Sequence, residues 1–183
     1  MASAFGHALA AVAIGKMVSV NKQPWRFWLL GIFCAILPDA DVLAFVVGIP
    51  YNHVLGHRGI THAILFALVI ALLVTGLFFK SIRINSAAWR FLVSYFFLAT
   101  LSHALLDALT NGGLGVAFFA PFHNERYFFP FTPIQVSPIG AGRFFSKWGL
   151  LVLKSEAFWI GIPSAILLVI KYLWRRTTKN NPT

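Results

Sequence analysis

Carboxylates are scarce in this sequence. Asp and Glu together number 5 in 183 residues, against 15 Lys and Arg. Charged residues of both signs make up 11%, whereas a soluble domain carries about 25%. Such a shortage excludes an ordinary water-soluble domain and leaves an integral membrane protein as the class that fits. The net charge of +10 would suggest nucleic acid in a soluble protein. Here the basic residues stand at the ends of apolar runs, so they read as topology signals and no nucleic-acid partner is expected. Cysteine is limited to Cys34, inside an apolar run, which excludes an intramolecular disulfide. A Gly-x-Ser-x-Gly elbow, a His-Glu-x-x-His helix and a phosphate-binding P-loop are all missing, and with them the mechanisms they carry.

What is present is a set of long apolar runs. Residues 4–20 follow a small-residue helix pattern, short for a span and interrupted by Lys16; this stretch either crosses the membrane or lies on its surface. It lacks the leading positive charge of a signal peptide and is expected to stay in the mature structure. Residues 25–50 form a second run, broken at Pro38. Residues 60–79 give 20 apolar-dominated positions with Thr61 as the expected N-cap. A further span is expected over 89–110, stopped by Asn111-Gly112-Gly113, and a last one over 157–174. Residues 175–183 read as a solvated tail. The pattern predicts an all-α polytopic membrane bundle of four to five transmembrane helices, one domain over residues 1–183.

Segment 112–148 departs from this pattern, with eight phenylalanines and four prolines. The prolines argue against a continuous span. An aromatic loop is expected there, lying in the membrane interface or folded back over the bundle; simple interfacial anchoring is the plainer alternative. Placing the linkers 21–26 and 80–90 and the C-terminal tail in the cytoplasm puts ten of the fifteen basic residues at that side. The histidine-bearing loop near residue 60, the end of the 89–110 helix and the aromatic segment then share the outer face.

Polar residues inside such a chain carry a cost of about 2.5–3.5 kcal/mol for Arg or Asp at a helix centre, so their presence is informative. His57-Arg58-Gly59-Ile60-Thr61-His62 concentrates four polar side chains between two apolar runs. His103 and Asp107, four apart, share one helix face, as metal ligands or as a buried hydrogen-bonded pair. Asp39 and Asp41 would diverge on a regular helix, but Pro38 favours local unwinding that turns both toward one cation; the alternative is an ordinary helix start in a polar turn. His57 and His62 flank Gly59, which lets the loop aim both inward. Arg58 either meets an anionic group or pairs with an aspartate. His7 is a ligand or a core histidine, whereas His53 and His123 fall in outer loops. A nitrogen and oxygen donor set of His7, Asp39, Asp41, His57, His62, His103 and Asp107 suits zinc, manganese or another divalent ion.

These motifs carry a resemblance. Leu37-Pro38-Asp39-Ala40-Asp41, His57-Arg58-Gly59-Ile60-Thr61-His62 and Ser102-His103-Ala104-Leu105-Leu106-Asp107, behind the early His7, are similar to the bacterial inner-membrane family called YdjM/YbcI-type. The resemblance covers residues 5 to about 131. Members are described as membrane-bound metal-dependent hydrolases, also under the label LexA-binding, inner-membrane-associated hydrolase. A looser likeness links the order His, Asp, His, His-x-x-x-Asp to zinc-dependent phospholipases C.

The resulting expectation is a hydrolase at the outer face of the inner membrane, acting on a phosphoester or similar bond of a lipid or membrane-proximal substrate. Asp39, Asp41, His57, His62, His103 and Asp107 are the expected ligands, with one aspartate as general base in place of ligand and Arg58 as the anion contact. Membrane lipids are the expected partners; the LexA-binding label hints at a regulatory protein partner, for which the sequence offers no acidic or basic docking segment, and the protein partner stays open. A metal-ion or proton transporter and a non-catalytic metal-binding scaffold are the competing readings. Transport needs a relay reaching both faces, and the inner halves of 60–79 and 157–174 offer only Thr75 before the border lysines.

Overall fold

Helices account for nearly all the regular structure of the chain, a computed structural model that describes residues 1–180. In order they are α1 (Ala4–Val18), α2 (Trp25–Ile36), α3 (Ile64–Phe78), α4 (Ala87–Ala108), the single turn α5 (Ala141–Phe144), α6 (Lys147–Glu156) and α7 (Ile162–Asn180). A 3-10 segment, Leu37–Val47, continues α2, a 3-10 turn at Ile60–His62 precedes α3, and a π-helical turn at Ala157–Gly161 joins α6 to α7. No β-sheet forms among the described residues; two isolated bridges, Thr110 with Ile134 and Val116 with Tyr127, organise the segment after α4. The fold is all-α.

Helix α4 is the centre of the bundle, packed against α1, α2 and α3. Its buried residues Leu92, Phe96 and Ala99 recur at three- and four-residue spacing and form one stripe. The same stripe continues into His103 and Asp107, both fully buried. The apolar face that anchors α4 in the core therefore also delivers its polar pair to the bundle interior. Phe27 of α2 stacks on Tyr95 with centroids 4.0 Å apart, a contact of about 0.5–1.5 kcal/mol beyond area burial. Lipid offers apolar side chains as good an environment as a neighbouring helix does, so close packing of small residues supports this core. Ala11, Ala35, Ala71 and Ala99 are all fully buried in it.

Three helices are long and apolar enough to cross a membrane: Trp25–Val47, Ala87–Ala108 and Lys147–Thr177. Ala4–Val18 and Ile64–Phe78 are apolar but shorter, 15 residues each. At 1.5 Å per residue each extends about 22 Å, less than a hydrocarbon core of about 30 Å.

Several boundaries differ from the sequence expectations. The 20-residue helix expected over 60–79 starts at Ile64, and Thr61 is not its cap. The Thr61 hydroxyl donates instead to Asp41 Oδ2 at 2.6 Å. The last helix begins ten residues earlier than expected, at Lys147, where the Ser146 hydroxyl accepts from the Trp148 N–H. Lys154 is exposed while Glu156 is buried against Ser3, so Lys154-Ser155-Glu156 is an amphipathic turn of this longer helix. Residues 175–180 continue α7 and are not a loose tail; residues 181–183 lie outside the described residues.

The aromatic segment folds back over the ends of the helices. Ala117 donates to Arg58 O, Phe129 to Ala108 O and Ile134 to Leu109 O. Its small residues turn inward, with Val116, Ala117 and Ala120 buried, while Phe122 and Phe145 are more than 80% exposed. At the opposite end, Lys171 Nζ donates to Met17 O at 2.6 Å and Ser19 O at 2.8 Å, and Arg175 reaches Ser19 O and Val20 O at 3.0 Å. These cations satisfy carbonyls left open where α1 ends.

Candidate metal centre

Pro38 is the local cause of the site. It lacks an N–H, and the chain tightens from α-helix to 3-10 geometry at Leu37. With three residues per turn, positions two apart are separated by about 120° around the axis, against about 160° on an α-helix. Asp39 and Asp41 consequently face the interior from neighbouring directions, and both are buried. The segment stops at Gly48, which takes a left-handed conformation with φ of 77°.

The loop before α3 supplies the histidines. Arg58 itself adopts φ of 61°, a conformation that costs a non-glycine residue roughly 1–3 kcal/mol and persists only where its surroundings enforce it. Its N–H donates to Asp41 Oδ2 at 3.0 Å and its carbonyl accepts from Ala117. Gly59 is required next to it, because a Cβ there would strike the Val54 carbonyl and lie 2.8 Å from Gly56 O.

Asp39, His62, His103 and Asp107 converge, each offering one atom within 4.8 Å of the others. His103 Nε2 lies 3.0 Å from His62 Nε2 and 3.3 Å from Asp39 Oδ1. His62 Nε2 lies 3.5 Å from Asp107 Oδ2 and 4.0 Å from Asp39 Oδ1; His103 Nε2 is 4.0 Å from Asp107 Oδ2. Donors bonded tetrahedrally to one ion at about 2.1 Å stand about 3.4 Å apart. The observed separations bracket that value.

Hydrogen bonding on the far sides of the rings points the same way. His103 Nδ1 is 2.6 Å from the Ala35 carbonyl, which can only accept, so Nδ1 carries the proton and Nε2 keeps a lone pair. His62 Nδ1 faces Asp41 Oδ2 at 3.2 Å, which assigns its tautomer similarly. Two lone pairs and two carboxylate oxygens then face a common point with water excluded. A cation at that point, or a proton on one Nε2, satisfies them. Asp39 Oδ1 and both ring nitrogens of His7 are buried with no hydrogen-bond partner, which suits a donor set built to hold a metal. His7 stacks on His103 with centroids 3.7 Å apart, and its Nε2 is 3.5 Å from Asp107 Oδ1.

Asp41 occupies a different position from the other aspartates. Its Oδ1 meets His57 Nδ1 at 2.6 Å, and its Oδ2 faces Thr61 Oγ1, the Arg58 N–H and His62 Nδ1. Asp41, His57 and His62 are near enough to form a second group that could hold a metal. Asp41 thus lies on the Nδ1 side of His62, away from the four-residue cluster, with both its oxygens engaged. The expected single cation between Asp39 and Asp41 is not what the fold builds: the two carboxylates stand on opposite nitrogens of the His62 ring.

Arg58 is the second departure. Its side chain is fully buried; Nε donates to Asp107 Oδ2, Nη1 to Gly112 O and Nη2 to Thr110 Oγ1, each at 2.9 Å. The guanidinium pairs with an aspartate, and no face of it is open to an anionic substrate. Tyr51 packs over the His57 ring, and burial pushes its hydroxyl above the usual tyrosine range. His53 and His123 are exposed, as expected for loop residues.

Residues the motifs did not flag complete the surroundings. The Ala2 N–H donates to Asp107 Oδ1 at 2.7 Å, Thr110 links Arg58 to the end of α4, and Ser3 Oγ donates to Glu156 Oε2 at 2.6 Å. Glu156 was detectable by the argument that singled out the aspartates, since it is a rare carboxylate within a predominantly apolar stretch. Ala2 and Thr110 leave no such signal.

Comparison with known proteins follows this geometry. The family model described as YdjM inner membrane protein matches residues 1–178. Over 177 residues the chain is 37% identical to the inner membrane protein YbcI of Escherichia coli strain K12, a match covering 96% of this chain and 99% of that protein. No solved structure matches. The helices suited to a membrane, the buried His/Asp cluster and a match along almost the whole chain agree: the chain belongs to the YdjM family of inner membrane proteins.

Proposed function

We propose that this protein is a metal-dependent membrane hydrolase acting on a phosphoester or similar bond of a lipid or membrane-proximal substrate. The observation that carries the proposal is the convergence of His62 Nε2, His103 Nε2, Asp39 Oδ1 and Asp107 Oδ2 at ligand spacing among buried residues. These four would hold a divalent ion, zinc or manganese by donor type, with His7 beside them. Such an ion supplies Lewis acidity toward water and a phosphoryl oxygen. The chain's own residues divide the remaining work. Asp41 and the Ala35 carbonyl fix the tautomers of His62 and His103. Arg58 neutralises and orients Asp107. Asp39 keeps slight solvent contact, whereas His62, His103 and Asp107 are sealed, so it is the member best placed to meet an entering substrate or to accept a proton.

The proposal includes five membrane-crossing elements, with α1 and α3 as short spans. It places the aromatic segment at the interface and the site toward the outer face. The support is positional: the ends of α1, α2, α4 and α7 opposite the site carry Lys16, Lys22, Arg26, Arg90, Lys171, Arg175 and Arg176, as the positive-inside rule demands of a cytoplasmic side. Reporter fusions at Ser86 and after Thr183 should then read cytoplasmic, and one at Asn124 external; a cytoplasmic reading at Asn124 would reverse the orientation.

The chemical test uses detergent-purified protein and a panel of phospholipids and polyprenyl phosphates in proteoliposomes. Hydrolysis of one of them, lost together with bound metal in His103→Ala, is expected. Metal-dependent ion flux with no bond cleaved in any substrate would favour the transporter.

A further inference from the structure

Far from the metal centre, the ends of α1 and α7 enclose a hollow of about 390 Å³ lined by Lys16, Ser19, Lys22, Gln23, Trp28 and Arg175. Three cations and no anion stand in its lining, and each of the five carboxylates of the sequence (Asp39, Asp41, Asp107, Glu125 and Glu156) lies on the segments that form the opposite end. Ser19 is only 7% exposed and its hydroxyl has no hydrogen-bond partner. A buried hydroxyl beside three cations lacks an acceptor, and an anionic oxygen is the group that would supply one.

The surroundings identify what would carry that oxygen. Trp25 and Trp174 are 74% and 69% exposed at this end, where apolar helices give way to basic residues. Exposed indoles at such a boundary mark the headgroup level of a bilayer. A second hollow of about 310 Å³, lined by Met17, Val20, Lys171, Trp174 and Arg175, adjoins the first and shares Val20 and Arg175 with it. The charged hollow thus continues along an apolar aromatic wall.

We infer that this paired hollow binds an anionic phospholipid, with its phosphodiester against Lys16, Lys22, Arg175 and Ser19 and an acyl chain along Met17 and Trp174. Lys16 lies 5.8 Å from the Trp28 ring centroid, a contact that holds its ammonium at the rim. The site joins α1 to α7 through a ligand, next to the carbonyl contacts already made by Lys171 and Arg175. Juxtamembrane cations contribute about 1 kcal/mol each toward anionic lipid, so loss of two should weaken binding by about tenfold to thirtyfold.

The experiment measures thermal unfolding and lipid retention by native mass spectrometry on the full chain in detergent. Phosphatidylglycerol, phosphatidylcholine and inorganic phosphate are added in separate arms. Phosphatidylglycerol should raise the unfolding temperature and remain bound, and the other two should do neither. K16Q/K22Q should lose the effect, while K147Q/K154Q, which removes the same charge from the other end, should keep it. Equal retention of phosphatidylcholine would overturn the inference. So would an equal shift from inorganic phosphate, which would reveal a bare anion site, or undiminished binding in K16Q/K22Q. If K16Q/K22Q does not fold, the three arms on the unsubstituted chain still decide.

Discussion

The two ends of the bundle handle charge in opposite ways. At the metal-centre end, Arg58, Asp39, Asp41, Asp107 and the histidines His7, His57, His62 and His103 are buried, and each of these three aspartates lies within 4.0 Å of a guanidinium or ring nitrogen. At the other end, Lys16, Lys22, Arg26, Lys80 and Arg83 are exposed, and Lys171 and Arg175 donate to the carbonyls where α1 ends. Burial raises the cost of breaking a pair, because the abandoned charge cannot turn to water. Exposure keeps the same loss small. One chain therefore contains a buried, internally paired charge cluster and an exposed basic one.

Substitution at each end should expose this contrast, most strongly at Asp107. Asp107→Asn leaves Arg58 buried without its counter-charge and removes a carboxylate from the candidate donor set. A destabilisation of about 3–5 kcal/mol is expected, read as a lowered unfolding temperature in detergent together with loss of bound metal. A stable Asp107→Asn protein would mean that water reaches Arg58 and that the two ends do not differ as described.

Asp41→Asn should have an intermediate effect. It keeps the shape of the carboxylate but weakens its hold on His62, so metal affinity should fall about 10- to 100-fold with the fold retained. Titration with zinc, followed by metal analysis, reads this directly. Complete loss of metal at saturating zinc would instead place Asp41 among the ligands, in the group it forms with His57 and His62.

Arg90→Gln belongs to the exposed end and should do least. Its guanidinium donates to Asn85 O at 3.2 Å in an exposed position, and removing it should change stability by less than about 0.5 kcal/mol. An unfolding temperature well below that of the unsubstituted protein would show that the basic end is held together by charge as well.

Much of the architecture was legible before any coordinates. The spacing of His103 and Asp107 places both on the stripe that buries Leu92, Phe96 and Ala99, and helix geometry alone requires this. Pro38 marked where regular α-helix ends, although the chain tightens there into 3-10 geometry and does not unwind as expected. The boundaries were less legible. The last helix starts at Lys147 and not at the expected 157, because Glu156 can enter it through a partner, Ser3, that lies 153 residues away. Thr61 read as a cap because nothing nearby in sequence reveals Asp41 as its acceptor.

The sequence alone determined that this is a helical membrane protein and that three polar motifs would be kept inside it. Both follow from local rules: a carboxylate shortage excludes a soluble surface, and apolar length decides what can enter a bilayer. Tertiary structure decided the roles within the motifs. Asp39 meets His103 across 64 positions of sequence and joins the donor set, while Asp41, two residues on, turns to the other nitrogen of His62. Arg58 became the partner of Asp107 because α4 ends where the loop before α3 crosses it. A member of the candidate donor set (Asp39), a carboxylate paired with other histidine nitrogens (Asp41) and the partner of a buried arginine (Asp107) are all aspartates. Only the atoms that distant segments bring within bonding distance tell them apart.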